Sequence, residues 1–542
     1  MPRWSVLLLA LLCAAPCRAA ASATATQADQ PPAGLVPTDV RLGQILADHD
    51  KAIGTRPVGV HDSVVEHWSF SDAGMSGVED LQRDGTDYHS RIAYGPFIDE
   101  YGQRGEGRWH QDSNGFTSAT TEIDERSFYA TRVTEDAADP KNDASVIGKT
   151  TGARPAYIVE VKRPGHKHPE FVFYDVGTAQ VVRVEAPGEK RRLIETFDDF
   201  RATEGVFQPW HVHDTDGRHE LDDDWRLTSL QQGVSIPEAT FEMPENVPHV
   251  SPPSSPSQLP GKMMYGGYIV RLEVAGRGLD FWLDSSASES IINWDVAREM
   301  GLPDYGHVTH LADGTKVPYR TKLAQASVGG VTLNDFTLTS EDFTYQPSYN
   351  TKVVGVLGYD FFAANVLHLD FTNGIVEALP LAPFASGNPT GASVDVPFTL
   401  DDGIPFVRAG IGDIITDRAL LSTTMPFSFV LGSFADAHPS EVADRSGKQH
   451  AQGILPVAGA ESYGVKIETW IALLSHFRFA LADYRQIGIP ATNWPMTVGN
   501  HSVDAIIGTD YLRYYDVYFE YPFGRFTVKP NALFFKTFKP NG

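Results

Sequence analysis

The sequence predicts a mainly β protein: an N-terminal half-barrel-like sheet with a leading helix, then a β lobe that occurs twice. Three observations carry this. Short alternating apolar/polar runs separated by Gly, Asp and Asn fill the first half. A Pro/Ser-rich stretch with no charged residue, "NVPHVSPPSSPSQLPG", breaks the chain near its middle. Finally, Val356–Pro380 lies without gaps over Ile506–Pro530 at an offset of 150. Gly358/Gly508, Asp360/Asp510, Gly374/Gly524 and Pro380/Pro530 are identical pairs, and Leu357/Ile507, Phe361/Tyr511, Leu369/Phe519 and Val376/Phe526 match in character.

Taken in order, Met1 to about Ala23 has the form of an export signal (residues 1–23). Arg3 precedes the apolar "VLLLALLCAAP", and small residues follow in "AAASA". This apolar run is too short to span a bilayer, and no longer one follows, so a bacterial periplasmic or secreted protein without a transmembrane segment is expected. Both cysteines, Cys13 and Cys17, fall in that segment, which leaves no thiol for a disulfide or a metal afterwards. "DVRLGQILADHDKAIG" places Val40, Leu42, Ile45, Leu46 and Ile53 at helical spacing and ends on Gly54. Hairpin-like runs then continue from "VVEHWSFSD" to "ATFEMPENV", giving a first domain over 38–247. Residues 248–260 read as a semi-extended linker that forms no helix or ladder. The repeat defines lobes at 261–383 and 393–532, separated by "FASGNPTGA" (Phe384–Ala392).

Composition narrows the function classes. With Lys+Arg 44 against Asp+Glu 69, the formal charge is −25. Such a surface repels phosphates and anionic headgroups, which argues against nucleic acid and electrostatic membrane docking. No Gly-rich phosphate loop and no G-x-S-x-G elbow occurs. His211-Val-His213 and His166-Lys-His168 each put two imidazoles on one strand face, but no third ligand is identifiable, so neither metal nor cofactor is expected.

Each lobe opens with a hairpin leading to a special turn. In the first, "YIVRLEVAGRGLDFWLDSSASESIIN" reaches Asp284-Ser285-Ser286; in the second, "IPFVRAGIGDIITDRALLSTTMPFSFV" reaches Ser422-Thr423-Thr424 at the matching place. Later come the apolar-apolar-Gly runs "VVGVLG" (Val353–Gly358) and "VDAIIG" (Val503–Gly508). Over about Gly261 to Pro530 this order resembles the bilobal aspartic peptidases of the pepsin/retropepsin type and the related bacterial aspartyl-protease-like proteins. The N-terminal part, roughly Thr38 to Val247, resembles the LolA/LppX-like lipoprotein carriers, on the leading helix, "GQRGEGRWHQDSNG", "YDVGTAQVVRVE" and the closing "FEMPENV". That second resemblance implies a half-barrel with room for a hydrophobic ligand.

The peptidase resemblance implies peptide-bond hydrolysis between the lobes, with Asp284 activating a water and no metal or covalent intermediate. Such chemistry uses two carboxylates about 3 Å apart that share one proton. The ionised member activates water, and the protonated member polarises the scissile carbonyl. This chain departs from the pattern twice. Ser422 replaces the second aspartate, and Ser286 and Thr424 stand where the family's loops carry glycine. Asp413 and Asp417 lie on the preceding hairpin and are expected to point elsewhere. Two roles stay open for Asp284, water activation and acceptance of hydrogen bonds from its own turn. Ser285 and Ser288 are expected to satisfy backbone groups. A flap would fall in "HVTHLADGTKVPYRTK", where His310 or Tyr319 could face a peptide. The sequence therefore leaves three functions: an impaired aspartic endopeptidase, a non-catalytic peptide- or protein-binding relative, or hydrophobic-ligand binding by the N-terminal domain.

Overall fold

The computed structural model describes residues 31–538 except 55–62, 73, 121–136, 165–167, 188–191, 204–205, 265, 307–316, 342–351, 383–392, 402, 443–468, 495 and 499–500. The export-like segment with Cys13 and Cys17, the break Phe384–Ala392, His166 and His310 lie outside these residues.

The chain is mainly β, as its patterning predicts. Between residues 63 and 232 the described residues include 13 strands that form one antiparallel sheet. An open twisted sheet of that width has to curl. Its outer hairpins close with two-residue turns that begin on Gly85, Gly95 and Gly105, each at positive φ, the geometry that matches strand twist without steric cost. The predicted helix forms over Leu42–Ile53 and ends on Gly54 at φ 83. It covers one face of the sheet, where Ile45, Val159, Val172, Tyr174 and Phe197 pack as a buried cluster with Leu42 and Leu46 against it.

The charge-free stretch is not a free linker. Val250–Ser251 pairs with Leu333 and Thr332, and Ser257–Gln258 pairs with Ala378 and Glu377. Proline denies only its own N–H, so two-residue ladders form between the prolines, anchored by Val250 and Leu259, both almost fully buried.

The two repeats have matching topology. In the first, the Arg277–Leu283 strand runs parallel to Val353–Leu357, followed by a short helix (Tyr359–Phe362) and a hairpin, Val366–Asp370 with Ile375–Leu379. In the second, Ile414–Leu421 runs parallel to Ala505–Ile507, then come Thr509–Leu512 and the hairpin Tyr515–Glu520 with Arg525–Pro530. The two hairpins meet through Val366–Asp370 and Tyr515–Glu520, which pair antiparallel with His368 opposite Tyr518. Local twofold symmetry about that pair relates the halves, and one continuous apolar core crosses it.

The N-terminal sheet docks on the first repeat through its Asp112–Thr117 turn. Asn114 donates from Nδ2 to the Thr337 carbonyl (3.0 Å) and to Asp360 Oδ2 (2.9 Å), and its Oδ1 accepts from Thr337 N–H (2.7 Å). Phe116 enters the common core and meets Tyr359 edge-on. Gly115 is required here: its φ is +80, and a Cβ would lie 2.0 Å from the Val247 carbonyl oxygen.

Candidate active site

The run "GLDFWL" alternates into both faces of its sheet and buries Phe281, Trp282 and Leu283. At its end the chain turns, and Asp284 N–H donates to the Leu357 carbonyl (3.0 Å). In the other half Ser422 N–H donates to the Ile507 carbonyl, also at 3.0 Å. Asp284 and Ser422 are thus twofold mates, and their loops face each other.

The second residue of each loop locks the pair. The Ser285 hydroxyl donates across to the Leu421 carbonyl (2.8 Å), and the Thr423 hydroxyl donates back to the Leu283 carbonyl (2.7 Å). Ser285 N–H also donates to Thr423 Oγ1 (3.0 Å), and Tyr521 donates to the Ser285 carbonyl (3.2 Å). The loops are fixed at the centre of the molecule before any ligand arrives.

Around the carboxylate stand hydroxyls. Asp284 Oδ1 accepts from Ser286 N–H (2.9 Å) and Ser286 Oγ (2.6 Å), and Oδ2 accepts from Thr424 Oγ1 (2.7 Å). Ser422 Oγ lies 3.4 Å from Oδ1 and 3.0 Å from Ser286 Oγ, while Met425 N–H donates to it (3.2 Å). Asp284 is buried, and burial raises its pKa above the usual carboxylate range, against the opposing pull of these donors. Ser286, at the glycine position, adopts ordinary negative φ and turns its hydroxyl into the site.

Other residues singled out in the sequence fall elsewhere. Asp413 sits in an exposed turn, and Asp417 pairs with Arg408 (3.4 Å) on the surface. Tyr319 is buried at the start of a strand pairing with Ser340, so it does not present a free ring to a peptide. His211 contacts Asp198 (2.7 Å) and Asp224 (2.5 Å), and His213 contacts Asp224 (3.2 Å). Among the described residues no cluster of three or more His, Cys, Asp or Glu is arranged to hold a metal.

A second symmetric pair escaped the sequence reading. Ser290 donates to Asp360 and accepts from Gly358 N–H (3.0 Å). Ser428 donates to Asp510 (2.7 Å) and accepts from Gly508 N–H (2.9 Å). Burial pushes Asp360 up to about 7 and Asp510 up to about 6. The signal was present: Ser290 and Ser428 each follow their loop's first residue by six positions, and both aspartates are identities in the repeat.

With this geometry in place, part of the first repeat can be assigned a class. Residues 270–361 match a family model described as Aspartyl protease, spanning the Asp284 loop and the Gly355–Gly358 strand end. No curated protein matches the chain. Among solved structures, conglutin gamma, a basic 7S globulin from lupine seeds, is similar at 10% identity with a TM-score of 0.29, over 52% of this chain and 96% of that one. A LolA superfamily protein, NE2245 from Nitrosomonas europaea, is similar at 9% identity and a TM-score of 0.28, over 38% and 98%. A DUF1329 family protein from Desulfovibrio piger gives 14%, 0.27, 37% and 95%. The aspartyl-protease-like assignment rests on the family match together with the paired loops and strand order.

Proposed function

We propose that this is an exported aspartyl-protease-like protein whose interloop cleft binds extended polypeptide without hydrolysing it at the rate of a two-carboxylate enzyme. One observation carries the reading: the twofold mate of Asp284 is a hydroxyl, Ser422, 3.4 Å from the carboxylate. A serine hydroxyl does not ionise at working pH, so it cannot be the partner acid. Asp284 alone can take a proton from a bound water or hold one, but not both at once. Loss of one positioned acid–base group costs about 10²–10⁴-fold in rate. The Met1–Ala23 pattern supports the exported setting.

The test incubates the protein and its Asp284→Asn variant with a diverse peptide library from acid to neutral pH, reading cleavage and binding separately. The expected result is retention of peptides by both proteins, with cleavage by the parent absent or at least about 10²-fold slower than by a two-carboxylate enzyme. Cleavage by the parent at the rate of a two-carboxylate enzyme, abolished by Asp284→Asn, would overturn the proposal and restore the peptidase reading.

A further inference from the structure

The twofold relation leaves one position filled and its mate empty. On the first repeat, the Asp112–Thr117 turn of the N-terminal sheet sits against Asp360 and Tyr359. Asn114 donates to the carboxylate, Phe116 meets the Tyr359 ring, and Tyr359 Oη contacts the Thr117 carbonyl at 3.5 Å. On the second repeat, the mates Asp510 and Thr509 line an open cavity of about 530 Å³.

Each substitution between the copies enlarges or polarises the second. Thr509 stands for Tyr359, Phe371 for Tyr521 and Arg513 for Ala363, each at the repeat offset of 150. The glycine turns correspond too: a Cβ on Gly403 would strike Tyr359, and one on Gly266 would strike Thr509 Oγ1. Asp510 keeps the hydrogen bonds of Asp360 to the neighbouring serine. What it lacks among the described residues is the amide that caps Asp360. Arg513 is exposed at the cavity, and its guanidinium donates to Tyr514 Oη (3.3 Å). Phe371 and Leu533 form apolar walls.

From this we infer that the Asp510–Arg513 cavity is a docking site for a turn of a partner protein that carries a side-chain carboxamide beside an aromatic ring. The filled copy defines the chemistry. A carboxamide NH₂ donates to the Asp510 carboxylate as Asn114 does to Asp360, while its carbonyl accepts from Arg513, a cation in the place of Ala363. The ring lies between Phe371 and Leu533, over the space that Thr509 leaves where the first copy holds Tyr359. Among the described residues this chain's own Asn-Gly-Phe turn is committed to Asp360, and the proposed occupant is the corresponding turn of a partner protein.

The probe is a capped peptide of the Asp112–Thr117 sequence, DSNGFT, titrated by calorimetry into the full protein. Saturable one-to-one binding is expected. Arg513→Ala should weaken it about tenfold, and so should replacing the peptide's asparagine by aspartate, since the first removes one polar contact and the second sets a like charge against Asp510. Leu533→Asp, which removes an apolar wall of the cavity at an exposed position, should abolish binding while leaving the melting temperature intact. Absence of binding, or binding indifferent to both Arg513→Ala and Leu533→Asp, overturns the assignment. Sedimentation of the protein alone is the control on the occupant. Self-association lost in Leu533→Asp would show the cavity filled by a second copy, and would overturn the partner assignment too. None of these readouts depends on whether the Asp284 cleft binds or cleaves peptides.

Discussion

Ser422 Oγ and Asp284 Oδ1 lie 3.4 Å apart across a local twofold, in loops whose backbones hydrogen-bond to Ile507 and Leu357 in the same way. On the proposed reading this is the frame of a carboxylate dyad with an alcohol at the place of one acid. Ser422→Asp should therefore supply the missing group in place, because Met425 N–H (3.2 Å) and Thr424 N–H (3.4 Å) already point at the Ser422 oxygen. The variant is expected to cleave peptides at acid pH at least about 10²-fold faster than the parent. Adding Asp284→Asn should abolish the gain. A discontinuous cleavage assay across pH on the three proteins checks this, and an inactive Ser422→Asp protein with unchanged circular dichroism would count against a preserved frame.

Thr424 is the donor that reaches Asp284 Oδ2 from the opposite loop (2.7 Å). Thr424→Val keeps the shape and removes the proton donor, leaving a buried carboxylate oxygen short of a partner. The expected loss is about 1–3 kcal/mol of stability at neutral pH. The loss should shrink in acid, where a protonated Asp284 no longer needs the donor. Denaturant titrations at two pH values measure both quantities.

Arg320 holds the N-terminal sheet to the first repeat. It pairs with Asp99 (2.7 Å), whose side chain is only 5% exposed, and its guanidinium lies 5.4 Å from the Tyr94 ring centre and 5.6 Å from that of Phe97. Burial alone would raise Asp99, but Arg320, His110 and the Tyr94 and Ser113 hydroxyls hold it below the usual carboxylate range. Arg320→Ala strands that charge and should cost about 3 kcal/mol or more. Asp99→Asn in the same background should recover part of it, a non-additivity that a double-mutant cycle resolves.

What the sequence made legible is periodic or duplicated. Alternation exposed the strands, helical spacing exposed Leu42–Ile53, and the 150-residue offset exposed the matched hairpins. The two loops were found because each ends an apolar strand. Contacts between distant segments left no such trace. Nothing in "QDSNG" announces that Asn114 caps Asp360, a contact separated by 246 residues. The Pro/Ser stretch read as a linker because its prolines hide two short ladders, whose only advance sign was the isolated Val250 and Leu259. On the sequence alone Tyr319 could face a peptide, because one hairpin pattern does not say which end is covered.

Acid–base linkage at the interface gives the last prediction. Asp112 is pushed up to about 8, first by burial and then by the neighbouring charge of Asp360, despite N–H donation from Phe116 and Asn114. Asp360 itself rises to about 7. For such groups the folded state retains protons that the unfolded chain has released above about pH 4. Stability therefore falls as pH rises from there toward each folded pKa. His49 and His110 oppose the trend, because burial lowers both and unfolding lets them protonate up to about pH 6.5. Above that pH their contribution is constant, leaving the buried carboxyls and the exposed His219, raised by its hydrogen bond to Asp222, all of which lose stability as pH rises. The melting temperature should thus decline between about pH 6.5 and pH 8, the window closed by Asp112. Asp112→Asn keeps an acceptor for the two N–H groups, removes its own titration and takes one like charge away from Asp360, leaving that of Glu289. It should flatten the decline, whereas Asp417→Asn, on the surface, should not. A decline of equal slope in both variants would place the titrating groups elsewhere.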